Sequence, residues 1–405
     1  MNGSTPAEAR RSPDEPTSGS CQGPLRSAAR TAGPQALALA LQATRARTLG
    51  LMQAWQQALP DLSVPPLPGM NPPLWEWGHL AWFQEWWTLR NRQRHLGPQG
   101  TSSGDDWGPS RLPEADAFFN SSVVPHDSRW TLDLPDLERV HRYLADTLQA
   151  SLVALQAVPN ATDDALYFWR LALQHEDMHN EASVYMAQAL GLHLPRHLCQ
   201  RQERSQYQVE AAQISVPAQV WTEGHQGTGF AFDNECQAHP VALAAFSIDA
   251  QAVTWARYLP FLQATGHALP PHVRCVKGDW QVQQFGQWQD MNPKAPVVHV
   301  NAHDAQAWCV WAGRRLPSEA EWACAAHTSD FVWGSVWEWT ASAFTPYPGF
   351  VAHPYREYSA PWWHTHRVLK GACEATAVHM VDVRYRNFFV PERRDVIAGF
   401  RSVAC

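Results

Sequence analysis

The chain reads as a multidomain protein, an all-α bundle followed by an irregular α+β domain. Three observations predict this. Its 405 residues exceed what one ordinary hydrophobic core organises. As far as Leu190, apolar residues recur at helical spacing in four long segments. After Pro195 that period stops, and short strand-like runs, frequent turns and evenly spread Trp and Gly replace it.

Residues 1–33 are rich in Pro, Ser, Gly, Ala and Arg and nearly free of large apolar side chains, which predicts a disordered tail. Residues 34–200 make the bundle. A first helix fits Gln35 to Leu59, and a Pro-rich loop follows from Leu62 to Pro73. A second helix, with a wide aromatic face, starts near Leu74 and runs to about Leu96. Residues 96–112 read as loop and Asp116 to Trp130 as a structured connection. The third helix spans Pro135 to Ala157 and the fourth Asp163 to Leu190. Residues 201–405 form the second domain, entered through a polar linker at 196–213. Short helices fit Thr254–Thr265, Asn301–Ala312 and Ser318–Ala326, the last with Ser318 as N-cap and Glu321 completing a capping box.

A hydrophobic content of 45% with 17% charged residues is a soluble balance, and a net charge of -7 argues against nucleic acid or an anionic membrane as partner. There is no apolar run near 20 residues and no N-terminal h-region. Eight scattered Cys without a CxxC pair fit reduced thiols and a cytoplasmic location.

Nineteen His are many for this length. The fourth segment holds His175-Glu176-Asp177-Met178-His179. Residues i and i+4 share a helix face roughly 6 Å apart, so both imidazoles can grip one ion. The pattern matches the zinc-protease motif HExxH, in which Glu176 is the base. Its longer continuation is missing, and His193 lies beyond the helix end. A pair of buried His without metal fits the spacing equally. His79, in WEWGHLAWF of the second segment, is an imidazole among apolar neighbours that needs a partner, and a metal supplies one. Three neutral His on two helices leave open positions on the ion. That suits Fe(II) binding substrate and dioxygen, or a catalytic zinc with water.

WGHLAWF with LQHEDMHNEA resembles the DinB-type helical domain of the ergothioneine-type sulfoxide synthases. The second half, through AGRRLPSEAEWACAA, VWEWTAS, PYPGF, HRVLKGAC and RNFFVPERRDVIAGFR, is similar to the formylglycine-generating-enzyme (sulfatase-modifying-factor) domain, a C-type-lectin-like fold. The resemblance covers roughly residues 35–405. It implies a non-heme Fe(II) enzyme that uses O2 to join sulfur to the imidazole ring of hercynine, with His79, His175 and His179 as ligands. It implies Tyr347 at the hercynine pocket, managing protons, and Asp382 and Arg386 at the charged end of the donor. Asn387 and Trp339 are expected in the pocket wall. Arg386 and Arg401 also read as members of structural ion pairs, and Arg315 and Glu319 as core.

The chain departs from the pattern on the donor side. A formylglycine-generating enzyme needs a Cys pair where this chain has Ala377 and Asp382. The Tyr- and Arg-rich run expected after Phe119-Asn120-Ser121 is SVVPHDSRW, leaving Arg129 to serve. Phe344 stands where a proton-donating Tyr is common, and Met178 where a hercynine-touching Gln is common. A different chalcogen donor produces such changes, which points to the selenoneine synthase subgroup and a neutral selenosugar. Cysteine or γ-glutamylcysteine is the alternative donor. Two other classes remain: a DinB-type thiol transferase with zinc or nickel, and a non-catalytic lectin-like binder.

Overall fold

The structure, a computed structural model, describes residues 27–67, 69–101, 107–199 and 207–405. Helices α1 (Pro34–Ala58), α2 (Pro73–Glu85), α3 (Leu137–Gln156) and α4 (Asp163–Leu190) form the bundle. Each boundary has a local cause. Pro34 and Pro73 occupy first-turn positions of α1 and α2, where the missing N–H costs nothing. Asp136 caps α3 by accepting from the Arg139 amide at 2.8 Å. Thr162 caps α4 by accepting from the Ala165 amide at 3.2 Å, and Gly191 ends it at φ +68. Helix α1 packs on α4, while α2 lies against both α3 and α4.

Two expectations need correcting. The second helix does not reach Leu96. Glu85 passes into a π-turn over Trp86–Arg90, where Asn91 turns extended, and a separate 3-10 segment covers Arg94–Gln99. Gly97 lies so close to α4 that a Cβ would sit 2.7 Å from the Asp164 Cα, so this segment is held as a packed turn. Ordered structure also starts before residue 34. Ala28–Arg30 form a 3-10 turn with Arg30 buried, because its guanidinium bridges Glu235 at 2.6 Å and lies 3.3 Å from Asp382. The rest of the expected tail, 1–26, lies outside the described residues.

The second domain holds thirteen strands among the described residues. The central sheet, in order β11-β10-β9-β12, joins Asn387–Phe389, Arg367–Gly371, Trp337–Ala343 and Ala398–Phe400. β9 and β10 are antiparallel, while β12 runs parallel to β9. A second sheet, β1-β4-β13-β8, joins Gln213–Val216, Phe246–Asp249, Val403–Ala404 and Arg314–Arg315. β2 (Gln219–Glu223) pairs with β3 (His239–Leu243), and β5 (Val273–Val276), β6 (Asp279–Gln284) and β7 (Gln287–Asp290) form a meander. Three short helices follow the sequence expectation closely: α5 (Trp255–Thr265), α6 (Ala302–Trp311) and α7 (Glu319–Ala325). The capping box of α7 is present, with Ser318 accepting from the Glu321 amide at 3.1 Å and Glu321 from the Ser318 amide at 2.8 Å. All seven described Cys are free thiols. No described helix is long and apolar enough to cross a membrane.

One helix joins the halves. On α4, Glu181 accepts from Trp337 and Thr376, both at 2.6 Å, and Asp177 accepts from His379 at 3.0 Å. The helix that carries the HxxxH pair is thus held by the second domain within two residues of His179.

Candidate metal centre

His79 on α2 faces His175 and His179 on α4. The His175 Nε2 lies 3.3 Å from His79 Nε2 and 3.2 Å from His179 Nε2, and all three ligand atoms fall within 4.8 Å of one another. Nitrogen ligands about 2.0–2.1 Å from an ion sit roughly 3.0–3.4 Å apart, depending on the coordination angle.

The other ring nitrogens explain why Nε2 points inward. His79 Nδ1 donates to the Phe119 carbonyl at 2.8 Å, and His179 Nδ1 donates to Glu76. Both rings therefore turn a bare Nε2 lone pair towards His175. No placement of one proton satisfies three converging acceptors, whereas a cation does. Burial, then the neighbouring His179, holds His79 down at about 3. Burial with His179 and His79 pushes His175 well below the usual imidazole range. Neutral imidazoles are the form that binds a metal. The residues fit a metal ion.

A layer of side chains holds this set. Burial tends to raise the Glu76 carboxyl, but His179 and an Asn71 hydrogen bond outweigh it and keep the group at about 2, a carboxylate. Asn71 in turn accepts from Arg129 at 2.7 Å, and the Arg129 guanidinium lies 3.8 Å above the Trp75 ring. Trp75 stacks on His79 at 4.9 Å, and Phe83 stacks on His175 at 3.5 Å. Tyr355 of the second domain meets Phe83 edge-on at 5.0 Å and His175 at 6.2 Å. On the opposite flank, between Trp55, Trp77, Leu80 and His179, the cavity is about 10 Å³, room for one water. The interior of the bundle has no space for an organic substrate there, and the second domain lies on the other side.

Glu176 is not placed as a base. It accepts from Arg45 at 2.7 and 2.9 Å and from Thr48 at 2.6 Å, on the face turned to α1. Met178 is half-buried, and its sulfur accepts from the Tyr385 hydroxyl at 3.3 Å. Tyr385 is itself 2.9 Å from the Tyr358 hydroxyl. Arg129 and Met178 therefore lie beside the triad.

The other expected substrate contacts have protein partners. Arg386 is fully buried, donates twice to Glu319 (2.8 and 3.0 Å), and also reaches the carbonyls of Asn234 and Thr345. Asp382 accepts from Arg384 and Ser27 amides and faces Arg30. The Tyr347 hydroxyl donates towards Glu223 at 3.0 Å and Glu319 at 3.3 Å, and its ring lies 4.0 Å beneath Arg386. Burial, then Glu319, pushes it well above the usual phenol range. Its contacts lie in the second domain and include no triad residue. Trp339 is a core residue, its indole donating to the Val300 carbonyl at 2.8 Å. Phe344 is buried between Phe388 and Trp363. Asn387 accepts from the neighbouring Phe388 amide. Arg401 is an ion-pair residue, bound to Glu338. Arg315 is not core. Its side chain is half-exposed and pairs with Glu321.

Sequence reasoning missed Glu76, Asn71, Phe83 and Tyr355. Glu76 had a readable signal, since it lies three residues before His79 on the same helix face. Tyr355 had none, because it reaches the triad from a loop 180 residues beyond His175.

Comparison with known proteins agrees with this architecture. Residues 40–183 match the DinB superfamily, and residues 203–335 match the sulfatase-modifying factor enzyme 1-like domain. Hercynine oxygenase of Mycolicibacterium thermoresistibile is 28% identical over 419 residues, covering 82% of this chain and 87% of that protein. Hercynine oxygenase of Mycobacterium tuberculosis is 28% identical, covering 91% of this chain and 98% of its own. Formylglycine-generating enzyme of Streptomyces coelicolor is 34% identical over 145 residues, covering 28% of this chain and 46% of that protein. With a DinB-type bundle ahead of a sulfatase-modifying-factor domain, and full-length similarity to hercynine oxygenases, the chain belongs to the ergothioneine-type sulfoxide synthase family.

Proposed function

We propose that this protein is an iron(II)-dependent, O2-using enzyme that joins selenium from a neutral selenosugar to the imidazole ring of hercynine. The reaction class rests on the similarity to hercynine oxygenases and on the three converging imidazoles. Bound iron would supply the redox path to dioxygen. The His79, His175 and His179 Nε2 atoms would hold it, with Glu76 and the Phe119 carbonyl fixing two of the rings. In net terms the ring gives up its C–H and the donor its Se–H. The C–Se bond forms, one oxygen atom of O2 leaves as water, and the other ends on selenium.

The chain's residues divide the remaining work. Phe83, Tyr355 and Tyr358 line the second-domain side of the triad with aromatic faces, which attract a quaternary ammonium. Met178, on α4 between His175 and His179, accepts from the Tyr385 hydroxyl of the second domain. Tyr347 acts here as an anchor, holding Glu223, Glu319 and Arg386 in one network.

One observation carries the choice of donor. Asp382 and Arg386, expected to hold the charged ends of an amino-acid donor, are engaged by Arg30 and Glu319. Releasing Arg386 for a ligand carboxylate would leave Glu319 without its guanidinium partner in a buried site. A neutral sugar makes no such demand. The test is a competition assay under O2 with hercynine and equal amounts of selenosugar, thiosugar, cysteine and γ-glutamylcysteine, with products read by mass spectrometry and metal content measured alongside. A selenium adduct in excess supports the reading. A dominant cysteine or γ-glutamylcysteine adduct transfers the protein to sulfur chemistry, and no oxygen uptake with any donor overturns the oxygenase.

A further inference from the structure

A second cavity, of about 510 Å³, opens where the C-terminal end of α4 meets the β5–β7 meander, and no triad residue lines it. Its size is that of a small-molecule site. Its walls are fixed. Gln188 of α4 donates to the Gln283 carbonyl at 2.9 Å and accepts from the Phe285 amide at 2.6 Å. The meander tip presses so close to the helix that a Cβ on Gly286 would lie 2.3 Å from the Gly191 carbonyl oxygen. The cleft is therefore preformed.

Two features of its lining point to a ligand. Trp255 lines the cleft, and its indole N–H donates to no group among the described residues. A donor open to the cleft can meet a hydroxyl there. His272 and His299, with rings 5.2 Å apart, both lie in the left-handed region at φ +62 and +61. Such backbone strain in non-Gly residues persists where surrounding structure imposes it, and it gathers at binding sites. Gln283 and the Arg394 carbonyl, at 3.2 and 3.1 Å, each engage one ring's Nδ1.

We propose that this cleft binds a neutral, polyhydroxylated ligand of sugar type, at a site separate from the triad. Its polar lining is dominated by uncharged groups. Gln284, Gln287 and Gln289 present amides that make no hydrogen bond among the described residues, and each amide can donate to one hydroxyl while accepting from its neighbour. Trp288 adds an aromatic wall, with Arg274 covering one face at 4.0 Å. Charge is sparse and mixed, with Arg196, Asp290 and Glu374 in the lining. The site shares α4 with the metal centre, Gln188 lying nine residues past His179, or about 13 Å along the axis at the usual helical rise. The proposal does not depend on the donor used at the triad.

The test titrates the full-length protein with D-glucose and methyl β-D-glucopyranoside by saturation-transfer NMR. Trp255→Phe removes the N–H and keeps the ring, and is expected to weaken binding about tenfold. Gln289→Ala, on an exposed strand position, is expected to weaken it about threefold and covers the case in which the core variant fails to fold. His175→Ala is expected to leave it unchanged. The absence of saturable binding to the unaltered protein overturns the proposal. So does binding untouched by Gln289→Ala and Trp255→Phe, or binding lost in His175→Ala, which would place the sugar at the triad.

Discussion

This molecule holds two kinds of buried polar cluster, and they solve opposite problems. In the second domain, Arg386 with Glu319 and Arg401 with Glu338 are closed sets, each guanidinium meeting its carboxylate at hydrogen-bonding distance. In the bundle, three imidazoles present bare acceptors to one another. Closed charge holds the lectin-like fold in one arrangement. Open, convergent lone pairs are completed only by a ligand from outside. One set is built of guanidinium–carboxylate pairs and the other of imidazoles, and what separates them is whether the facing groups complete each other.

The contrast is broken most directly at the ligands. His79→Ala or His175→Ala should lower Fe(II) affinity by more than ~100-fold, beyond what loss of an outer partner causes, while leaving the second domain folded. Metal analysis after anaerobic loading, with circular dichroism as control, reads both. Retained stoichiometric iron with full turnover would falsify the site. Arg386→Ala should do the reverse. It strands Glu319 in a buried site and should cost about 3–5 kcal/mol in urea unfolding, with the triad still able to take up metal.

Glu76→Gln tests the boundary between the two kinds of cluster. Its carboxylate fixes His179, so the variant should lose roughly 10–100-fold in metal affinity with little change in fold. Wild-type affinity in this variant would make Glu76 a packing group.

A smaller effect comes from pH. Burial holds His299 and His353 down at about 4 in the folded chain. Between the free imidazole value near 6.5 and about 4, the unfolded chain binds protons first, so stability present above pH 6.5 is lost as pH falls. Each group contributes on the order of 1–3 kcal/mol to that loss. The urea midpoint should drop over this window, and His299→Gln should flatten part of the slope; a midpoint that rises towards pH 5 contradicts the assignment. The smallest effect is expected at a helix start. Asp136→Ala should cost about 1 kcal/mol by removing the α3 cap, with no change in metal uptake.

The elements were legible because their signals are local. α4 runs from Asp163 to Leu190 as its period predicts, and the Ser318–Glu321 capping box formed as read. The His triad was legible too, as two residues on one helix face and a third polar residue in an apolar run. The misread features depend on distant partners. Nothing near Arg30 shows that Glu235 and Asp382, more than 200 residues away, will bury it, so residues 27–33 resembled tail. Nothing within WWTLR predicts the π-turn that ends α2 early.

By itself, then, the sequence determined the two-domain order, the four helices of the bundle and the three imidazoles, since period, caps and residue type act over a few positions. Only the tertiary structure decided which polar atoms stay open. It directed Nε2 of His79 and His179 inward through the Phe119 carbonyl and Glu76, and brought Tyr355 against Phe83 and His175. It also engaged Asp382 and Arg386 with partners of their own. The reason is physical. Whether a buried polar group binds an outside ligand or the protein depends on every partner within reach, and chain folding sets those partners across hundreds of residues.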